Sequence, residues 1–226
     1  MSPRIRQLSL LVPALAASLL AATSCVNAQT PEQQQQIEQH AQALVNARAA
    51  SDRKGEAQEL DILGVLYYQA GQNQKALELF NQALPILREM GDRSHEATVL
   101  NNIGQVQSDL GEKQKALDWY NQALSLCREA GDRGGEATTL INIGVVYGGL
   151  GQKQKALDFY NQSLPILREV GARSGEASTL SNIGAIYNDL GQEQKALDFD
   201  NQALPMEREV GHRRSEASTL NNIGSV

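Results

Sequence analysis

The sequence is poor in the residues on which most catalytic and redox chemistry depends. Its 226 residues include 3 histidines, 2 cysteines and 4% aromatic residues. The histidines, His40, His95 and His212, are far apart and supply neither metal-ligand spacing nor a pair of nucleophile and base. A glycine-rich phosphate-binding loop is missing too, because the glycines fit helix contacts and turns. These absences predict a protein that is not an enzyme and has no catalytic centre, metal site or cofactor.

Positive charge is also scarce. The formal net charge is -6, and a basic cluster, Arg4 with Arg6, is at the extreme N-terminus. A protein that binds nucleic acid needs lysines and arginines spread along a surface to neutralise phosphates. The sequence therefore predicts that nucleic acid is not a partner.

A long hydrophobic run is missing as well. The apolar stretch from Leu8 to Ala22 contains Pro13 and is about fifteen residues long, whereas a membrane-spanning helix needs roughly twenty. Two arginines before this stretch and small residues after it are typical of an export signal. We expect residues 1–28 to be removed by cleavage after Ala28, which gives a periplasmic or secreted protein.

A lipoprotein signal is the alternative to this cleavage. The stretch "ATSC" before and at Cys25 resembles a lipidation motif, in which Cys25 carries the lipid and becomes the new N-terminus. The protein would then be anchored to a membrane, and a membrane partner is expected only in that case. Cleavage after Ala28 would leave Cys127 as a single thiol, which cannot form an internal disulfide.

What the sequence does contain is one unit that recurs every forty residues. Successive copies open on a glutamate: Glu56, Glu96, Glu136, Glu176 and Glu216. Within a copy, apolar and small residues fall at helical spacing in two stretches separated by a glycine-containing break. The pattern predicts two amphipathic helices per unit, helix A at about 56–69 and helix B at about 74–90 in the first. Asp92 is expected to cap the next helix A, and Gly171 to end a helix B in the left-handed conformation.

The residue types within the unit indicate its family, because a period near forty is also compatible with HEAT-type repeats. The stretch "LGVLY" (63–67) is followed by Ala76 and Phe80, and "IGVVY" is followed by "ALDFY" within 143–160. This order resembles the signature of the tetratricopeptide repeat in its forty-residue variant, over residues 56–226. The resemblance implies an all-α fold, a right-handed α-solenoid of tandem helix-turn-helix units.

The repeat also suggests a division of the chain. After the signal, residues 29–54 line up with a helix B and are expected to form an N-terminal capping helix. Four units of forty residues follow at 56–215, and a fifth begins at 216–226. Since the last unit stops within helix A, we expect a truncated gene model or a broken gene.

The fourth unit departs from the core pattern. Asp200 stands where Phe80 and Tyr160 stand in their units, and Glu207 stands where Leu167 does. A carboxylate in a core position costs several kcal/mol unless it reaches water or is paired. We therefore expect loose packing near the C-terminal end.

Helix A carries a second face that is small, polar and mostly uncharged, opposite the apolar face. The resemblance implies that helix A lines the inner groove of a superhelix, where asparagines of some relatives contact the main chain of an extended peptide. An asparagine amide can donate to and accept from a peptide backbone at once. The alternative is that each asparagine hydrogen-bonds the neighbouring helix or water. The candidate peptide-binding residues are Asn102, Asn142, Asn182, Asn222, Thr98, Thr138, Ser178 and Gln105.

These features favour an exported scaffold that binds a protein or peptide in its groove. A second hypothesis is that the chain is the recognition arm of a longer protein, since the repeats behind an export signal are similar to those of cyanobacterial CHAT-domain proteins. Those relatives carry a caspase-like effector after the repeats, and its cysteine and histidine are missing from these residues. A third hypothesis is a structural spacer with no partner.

Overall fold

The computed structural model describes residues 30–211 and 213–224. The predicted signal and Cys25 therefore lie outside the described residues. Ten helices are formed by the described residues. They are α1 (Pro31–Ala49), α2 (Arg53–Gln69), α3 (Asn73–Met90), α4 (Arg93–Asp109), α5 (Lys113–Ala130), α6 (Arg133–Gly149), α7 (Lys153–Glu169), α8 (Arg173–Asp189), α9 (Glu193–Glu209) and α10 (Arg213–Gly224).

Helices A and B of the predicted unit correspond to these helices with small shifts at the ends. The first helix A begins at Arg53, three residues earlier than expected, because Asp52 caps it by accepting a hydrogen bond from the backbone N–H of Gly55 (2.9 Å). The predicted cap at Asp92 is confirmed, since its carboxylate accepts from the backbone N–H of His95 (3.3 Å). Gly171 has a φ of 69°, which confirms its predicted left-handed conformation.

The chain divides into two compact units, Met1–Leu79 and Phe80–Val226. In the described part of the first unit, α1 packs against α2. His40 Nδ1 on α1 lies 2.7 Å from Glu59 Oε2 on α2, and Arg48 Nε lies 2.9 Å from Glu56 Oε1. These contacts join α1 to the helix that follows it.

In the compact unit Phe80–Val226 each helix packs on the next one in the chain, from α4 to α10. The core between them is largely aliphatic, and two of its clusters each contain one buried tyrosine. Tyr120 lies with Leu140 and Ile143 in one cluster, and Tyr160 lies with Leu180 and Ile183 in the next. The expected all-α fold of tandem helix pairs is thereby confirmed.

In the compact unit Phe80–Val226 the A helices are the even-numbered helices α4, α6, α8 and α10. They lie closer together than the B helices do. Neighbouring A helices contact one another, α4 with α6, α6 with α8 and α8 with α10. The B helices α5, α7 and α9 do not approach one another within 8 Å between Cα atoms. The A side is therefore the inner side of this stack, and the polar faces of its helices are drawn together.

In α4 and α6 a glycine receives the aromatic ring of the following B helix. A Cβ built on Gly144 would lie 2.5 Å from a ring carbon of Tyr160, and one built on Gly104 would lie 2.6 Å from a ring carbon of Tyr120. Real carbon atoms do not approach this closely, so only glycine fits beneath the ring. This contact explains why a glycine is retained in a helix interior, where it costs about 1 kcal/mol relative to alanine.

Alanine at Gly144 should therefore destabilise the protein by about 1–2 kcal/mol, because overpacking against the Tyr160 ring outweighs the gain in helix propensity. Gly184 offers a matched control, since its Cβ would meet the movable carboxylate of Asp200 in place of a ring. We expect Gly184→Ala to be neutral or mildly stabilising in urea unfolding. Equal losses for the two variants would contradict the packing argument.

The two unusual carboxylates of the fourth unit are buried. Asp200 and Glu207 are exposed by only 1% and 0%, and each has one buried oxygen, Asp200 Oδ1 and Glu207 Oε2, that has no hydrogen-bond partner among the described residues. On α10, Leu220 is 43% exposed, whereas Leu180 at the same position of the preceding unit is 2% exposed. Loose packing near the C-terminal end stays a prediction, because Asp200 and Glu207 are as fully buried as Tyr160 and Leu167.

Candidate functional site

Within the described residues of the compact unit Phe80–Val226, the A helices enclose two polar clefts on their inner side. The first cleft, of about 340 Å³, lies between α4 and α6. Its lining is entirely uncharged and consists of Thr98, Asn101, Asn102, Gln105, Gly135, Thr138 and Asn142. Five of the eight candidate residues from the sequence therefore meet in one place.

The second cleft, of about 470 Å³, lies between α8 and α10. It contains the other three candidates, Ser178, Asn182 and Asn222, and it differs from the first cleft in carrying charged residues. The full lining is Ser178, Ser181, Asn182, Ala185, Glu207, Arg214, Ser215, Ser218, Thr219 and Asn222.

Helical periodicity brings the candidates together. Thr98 and Asn102 are one turn apart on α4, as Thr138 and Asn142 are on α6, so each pair points to one side of its helix. The close approach of successive A helices then sets two such pairs side by side. Each candidate asparagine is half-buried. Asn102, Asn142 and Asn182 lie directly before a buried isoleucine, whereas the isoleucine after Asn222 is half-buried.

Asn101 holds the first cleft in shape and was missed by the sequence analysis. Its side-chain N–H donates to Thr139 Oγ1 across the cleft at 2.7 Å and to Ala97 O at 3.2 Å. Asn142 Nδ2 donates to Asn101 Oδ1 at 3.5 Å, a long bond. The interhelical contact thus belongs chiefly to Asn101, and the amide of Asn142 retains donors and an acceptor for a ligand. The signal for Asn101 was its place beside Asn102 in "NN".

The other side chains of the first cleft are partly engaged. Gln105 Nε2 donates to Asp109 Oδ1 at 3.0 Å, and Gln105 Oε1 accepts from the Tyr120 hydroxyl at 3.5 Å. The hydroxyls of Thr98 and Thr138 donate to carbonyls of their own helices, at 3.1 and 3.0 Å. These threonines therefore present acceptor lone pairs, whereas Gln105 is held in place by both ends of its amide.

Where one forty-residue repeat follows another, the glutamate that opens the repeat forms ion pairs with two arginines. Glu136 accepts from Arg128 Nε at 2.9 Å and also pairs with Arg133 Nη1. Burial alone would raise the pKa of Glu136, but the hydrogen bonds from these arginines outweigh it and hold the pKa below its ordinary value. Glu96 and Glu176 are clamped in the same way. Sequence reasoning missed this structural contact, although both arginines recur in register.

Glu207 lies at the floor of the second cleft. Its Oε1 accepts from Ser181 Oγ at 2.7 Å and from Thr219 Oγ1 at 3.1 Å, so two helices of the cleft meet on one carboxylate oxygen. Asp200 lies two turns earlier on α9, and burial together with the nearby Glu207 raises the pKa of Asp200 to about 6. The sequence identified both residues as anomalies and did not connect them with the cleft.

Within the described residues the structure offers little for catalysis. Cys127 is buried, and burial raises the pKa of its thiol above the ordinary value, so it is a poor nucleophile. Among these same residues, no three side chains of the types His, Cys, Asp or Glu cluster as metal ligands. In the same part of the chain, each helix is too short or too polar to cross a lipid bilayer.

Comparison with known proteins identifies the family of the repeat. A family model described as a tetratricopeptide repeat matches residues 56–129 and 95–169, together just over half of the chain. Comparison with curated proteins gives no match.

Several solved structures share the fold at low sequence identity. BtubC (BKLC) from P. vanneervenii is 19% identical, with a TM-score of 0.76 over 87% of this chain and 83% of that one. Aspartyl phosphate phosphatase F from Bacillus subtilis is 16% identical, with a TM-score of 0.76 over 83% of this chain, which spans 52% of the phosphatase. A signal transduction ATPase with numerous domains from Pyrococcus horikoshii, with a tetratricopeptide repeat sensor, is 17% identical, with a TM-score of 0.71 over 80% of this chain and 28% of that one.

Proposed function

Since the chain belongs to the tetratricopeptide repeat family, we propose that it is a non-enzymatic scaffold that binds an extended peptide segment of a partner protein. The peptide would lie along the inner side of the A helices and contact the two clefts. The observation that carries the proposal is the convergence of all eight candidate residues on these clefts.

The first cleft favours recognition of a peptide main chain. Its lining is uncharged, so it offers hydrogen bonds and no ionic attraction. Main-chain amides are common to all peptides, and the asparagine side chain matches them with one donor and one acceptor group. Sequence preference must then come from elsewhere, and the charged second cleft is the place that can supply it.

The proposal is tested with the triple variant Asn102→Ala, Asn142→Ala, Asn182→Ala. Peptides are first selected on the full chain from a random library displayed on phage, and their affinities are then measured by calorimetry. We expect the triple variant to bind the selected peptides at least about tenfold more weakly, since each lost hydrogen bond contributes roughly 0.5–1.5 kcal/mol.

The B helices supply a matched control for this experiment. Asn121, Asn161 and Asn201 are equally spaced by forty residues, exposed, and outside both clefts. Alanine at these three positions should leave peptide affinity unchanged. If the two triple variants bind alike, the clefts are not the peptide site and the proposed function is wrong.

An alternative is that the repeats are the recognition arm of a longer protein with a CHAT-type effector. The observation in its favour is the signal transduction ATPase with numerous domains, which has a tetratricopeptide repeat sensor and of which this chain covers 28%. Sequencing of the genomic DNA beyond codon 226 distinguishes the two: further repeats and a domain with cysteine and histidine would support the arm. Export remains a proposal under both, based on the sequence of residues 1–28.

A further inference from the structure

The helix α9 places two carboxylates where its counterparts place apolar or aromatic side chains. Asp200 takes the position of Tyr120 and Tyr160, and Glu207 takes that of Cys127 and Leu167. Both carboxylates are almost completely buried, and each has an oxygen with no donor among the described residues. Burying a carboxylate without a partner is costly, so these two residues call for a counter-charge.

The geometry around Glu207 indicates where that counter-charge would enter. Its Oε1 is fully used by the hydroxyls of Ser181 and Thr219, which approach from opposite walls of the second cleft. Its Oε2 is the oxygen without a donor. Glu207 is 0% exposed and lines the cleft together with hydroxyl and amide groups, so one residue of the lining carries an anionic acceptor that has no donor among the described residues.

Two arginines lie near this site, Arg208 and Arg214. Arg208, the neighbour of Glu207 on α9, pairs through Nε with Glu216 Oε1 at 2.7 Å. Arg214 lines the cleft and is exposed, and it makes no ion pair with a described residue. Neither arginine neutralises the Glu207 carboxylate in this structure.

We propose that the second cleft binds a primary ammonium group, which donates to Glu207 Oε2 at the cleft floor. The group would be the side chain of a lysine in a bound peptide or a free small amine. An ammonium group suits one unsatisfied oxygen, because it is a compact charge whose remaining N–H groups can reach the surrounding hydroxyls. A guanidinium group pairs best with both oxygens of a carboxylate, and Oε1 is already occupied.

The lysine source rests on the proposed function, whereas the free amine source does not. With a peptide along the A helices, its main chain would meet the asparagines and one lysine would enter the second cleft. The first cleft would then hold any peptide, and the second would select among peptides. This preference for lysine was not predicted from the sequence.

The test uses three probes of defined chemistry on the full chain: butylammonium chloride, a blocked Gly-Lys-Gly tripeptide, and the same tripeptide with norleucine in place of lysine. Binding is followed by nuclear magnetic resonance shifts of the backbone amides of α8 and α10. We expect the two ammonium probes to bind at this site and the norleucine tripeptide not to bind. The probe that binds more tightly identifies the source of the ammonium group.

Glu207→Gln should weaken binding of the ammonium probes at least about tenfold, because a hydrogen bond to a charged group contributes roughly 1.5–3 kcal/mol. Glu209→Gln is the matched control, since Glu209 is an exposed glutamate on the same helix, and it should bind like the unaltered protein. Arg214→Gln should bind the probes more tightly, because it removes a like charge from the cleft.

A folding defect is excluded as an explanation by Glu207→Leu, which restores the residue type of Leu167. This variant should unfold at a higher temperature and still lose ammonium binding. The proposal is overturned if the ammonium probes fail to bind the unaltered protein, or if Glu207→Gln and Glu209→Gln bind them equally. Butylammonium should bind Asn102→Ala, Asn142→Ala normally, so a failure of the peptide proposal remains separate from a failure of this one.

Discussion

Tyrosine in place of Asp200 is expected to stabilise the protein by about 2–4 kcal/mol, the reverse of a large-to-small change in a core. The replacement removes a buried carboxylate whose Oδ1 has no donor among the described residues. It also restores the ring that Tyr160 places on Gly144, since Gly184 leaves the same space above Asp200. For a chain of this size the gain corresponds to a rise in Tm of roughly 5–10 °C.

The stability of the unaltered protein should also depend on pH through Asp200. Burial raises its pKa in the folded protein to about 6, above the ordinary value of 3.8, so the folded state binds this proton more tightly than the unfolded state does. The free energy of unfolding should therefore rise as the pH falls from about 7 to about 5, by roughly 1–2 kcal/mol from this group. Asp200→Tyr should lose this dependence.

Urea unfolding at pH 7 and pH 5, followed by circular dichroism, measures both effects. Glu136 and Glu56 do not interfere, because their pKa values are lowered and their contribution is lost only at more acidic pH. Asp198→Tyr is a suitable control, since Asp198 is exposed on the same helix. An Asp200→Tyr variant that is less stable at pH 7 would show that this core position cannot accept a ring.

The converse exchange, Tyr160→Asp, should cost about 4–6 kcal/mol, the largest effect that we expect from one substitution. Tyr160 is 3% exposed, and its ring fills the space above Gly144 in the core between α7 and α8. Burial raises the pKa of Tyr160 to about 12, so the side chain is neutral and no charge is lost from the protein. The substitution would remove the ring and bury an unpaired carboxylate in the same step.

Unfolding in urea and hydrogen exchange of the backbone amides of α6, α7 and α8 would measure this loss. The loss should be smaller at pH 5 than at pH 7, because the introduced carboxylate is protonated more easily in the folded state. Tyr160→Phe is the control and should cost less than about 1 kcal/mol, since it keeps the ring. A small effect of Tyr160→Asp would contradict the packing of the Tyr160 ring described for the repeat at 136–175.

These two substitutions bear on the function as well as on stability. Natural proteins often retain destabilising residues where a site needs them. The residues that weaken the fourth unit are Asp200 and Glu207, and Glu207 is also the residue at the floor of the second cleft. The proposed ammonium site gives a physical reason for this coincidence.

Several features of the fold could be predicted residue by residue. The forty-residue period placed the helices of the repeat to within three residues, because a glycine turn recurs at the same positions of each unit. The side-chain direction of Thr98, Asn102 and Asn142 followed from helical periodicity alone. The division into a signal, a capping helix, four units and part of a fifth stays a prediction.

Other features depended on distances that a periodic pattern does not contain. The interhelical bond of Asn101 to Thr139 joins residues of different units, and the arginine clamp of Glu136 joins a helix B to the next helix A. Both depend on how far one helix is displaced along its neighbour. A residue's position within its own helix does not give that displacement.

The sequence by itself determined the helices, the repeat and the identity of the polar face, since these follow from local periodicity and residue type. The tertiary structure alone decided that the polar faces meet in two separate clefts, and that one of them ends on a buried carboxylate. The physical reason is that a cleft is formed by the approach of two helices from different units. Burial and hydrogen bonding at Glu207 are set by Ser181 and Thr219, which precede and follow it in the chain by 26 and 12 residues.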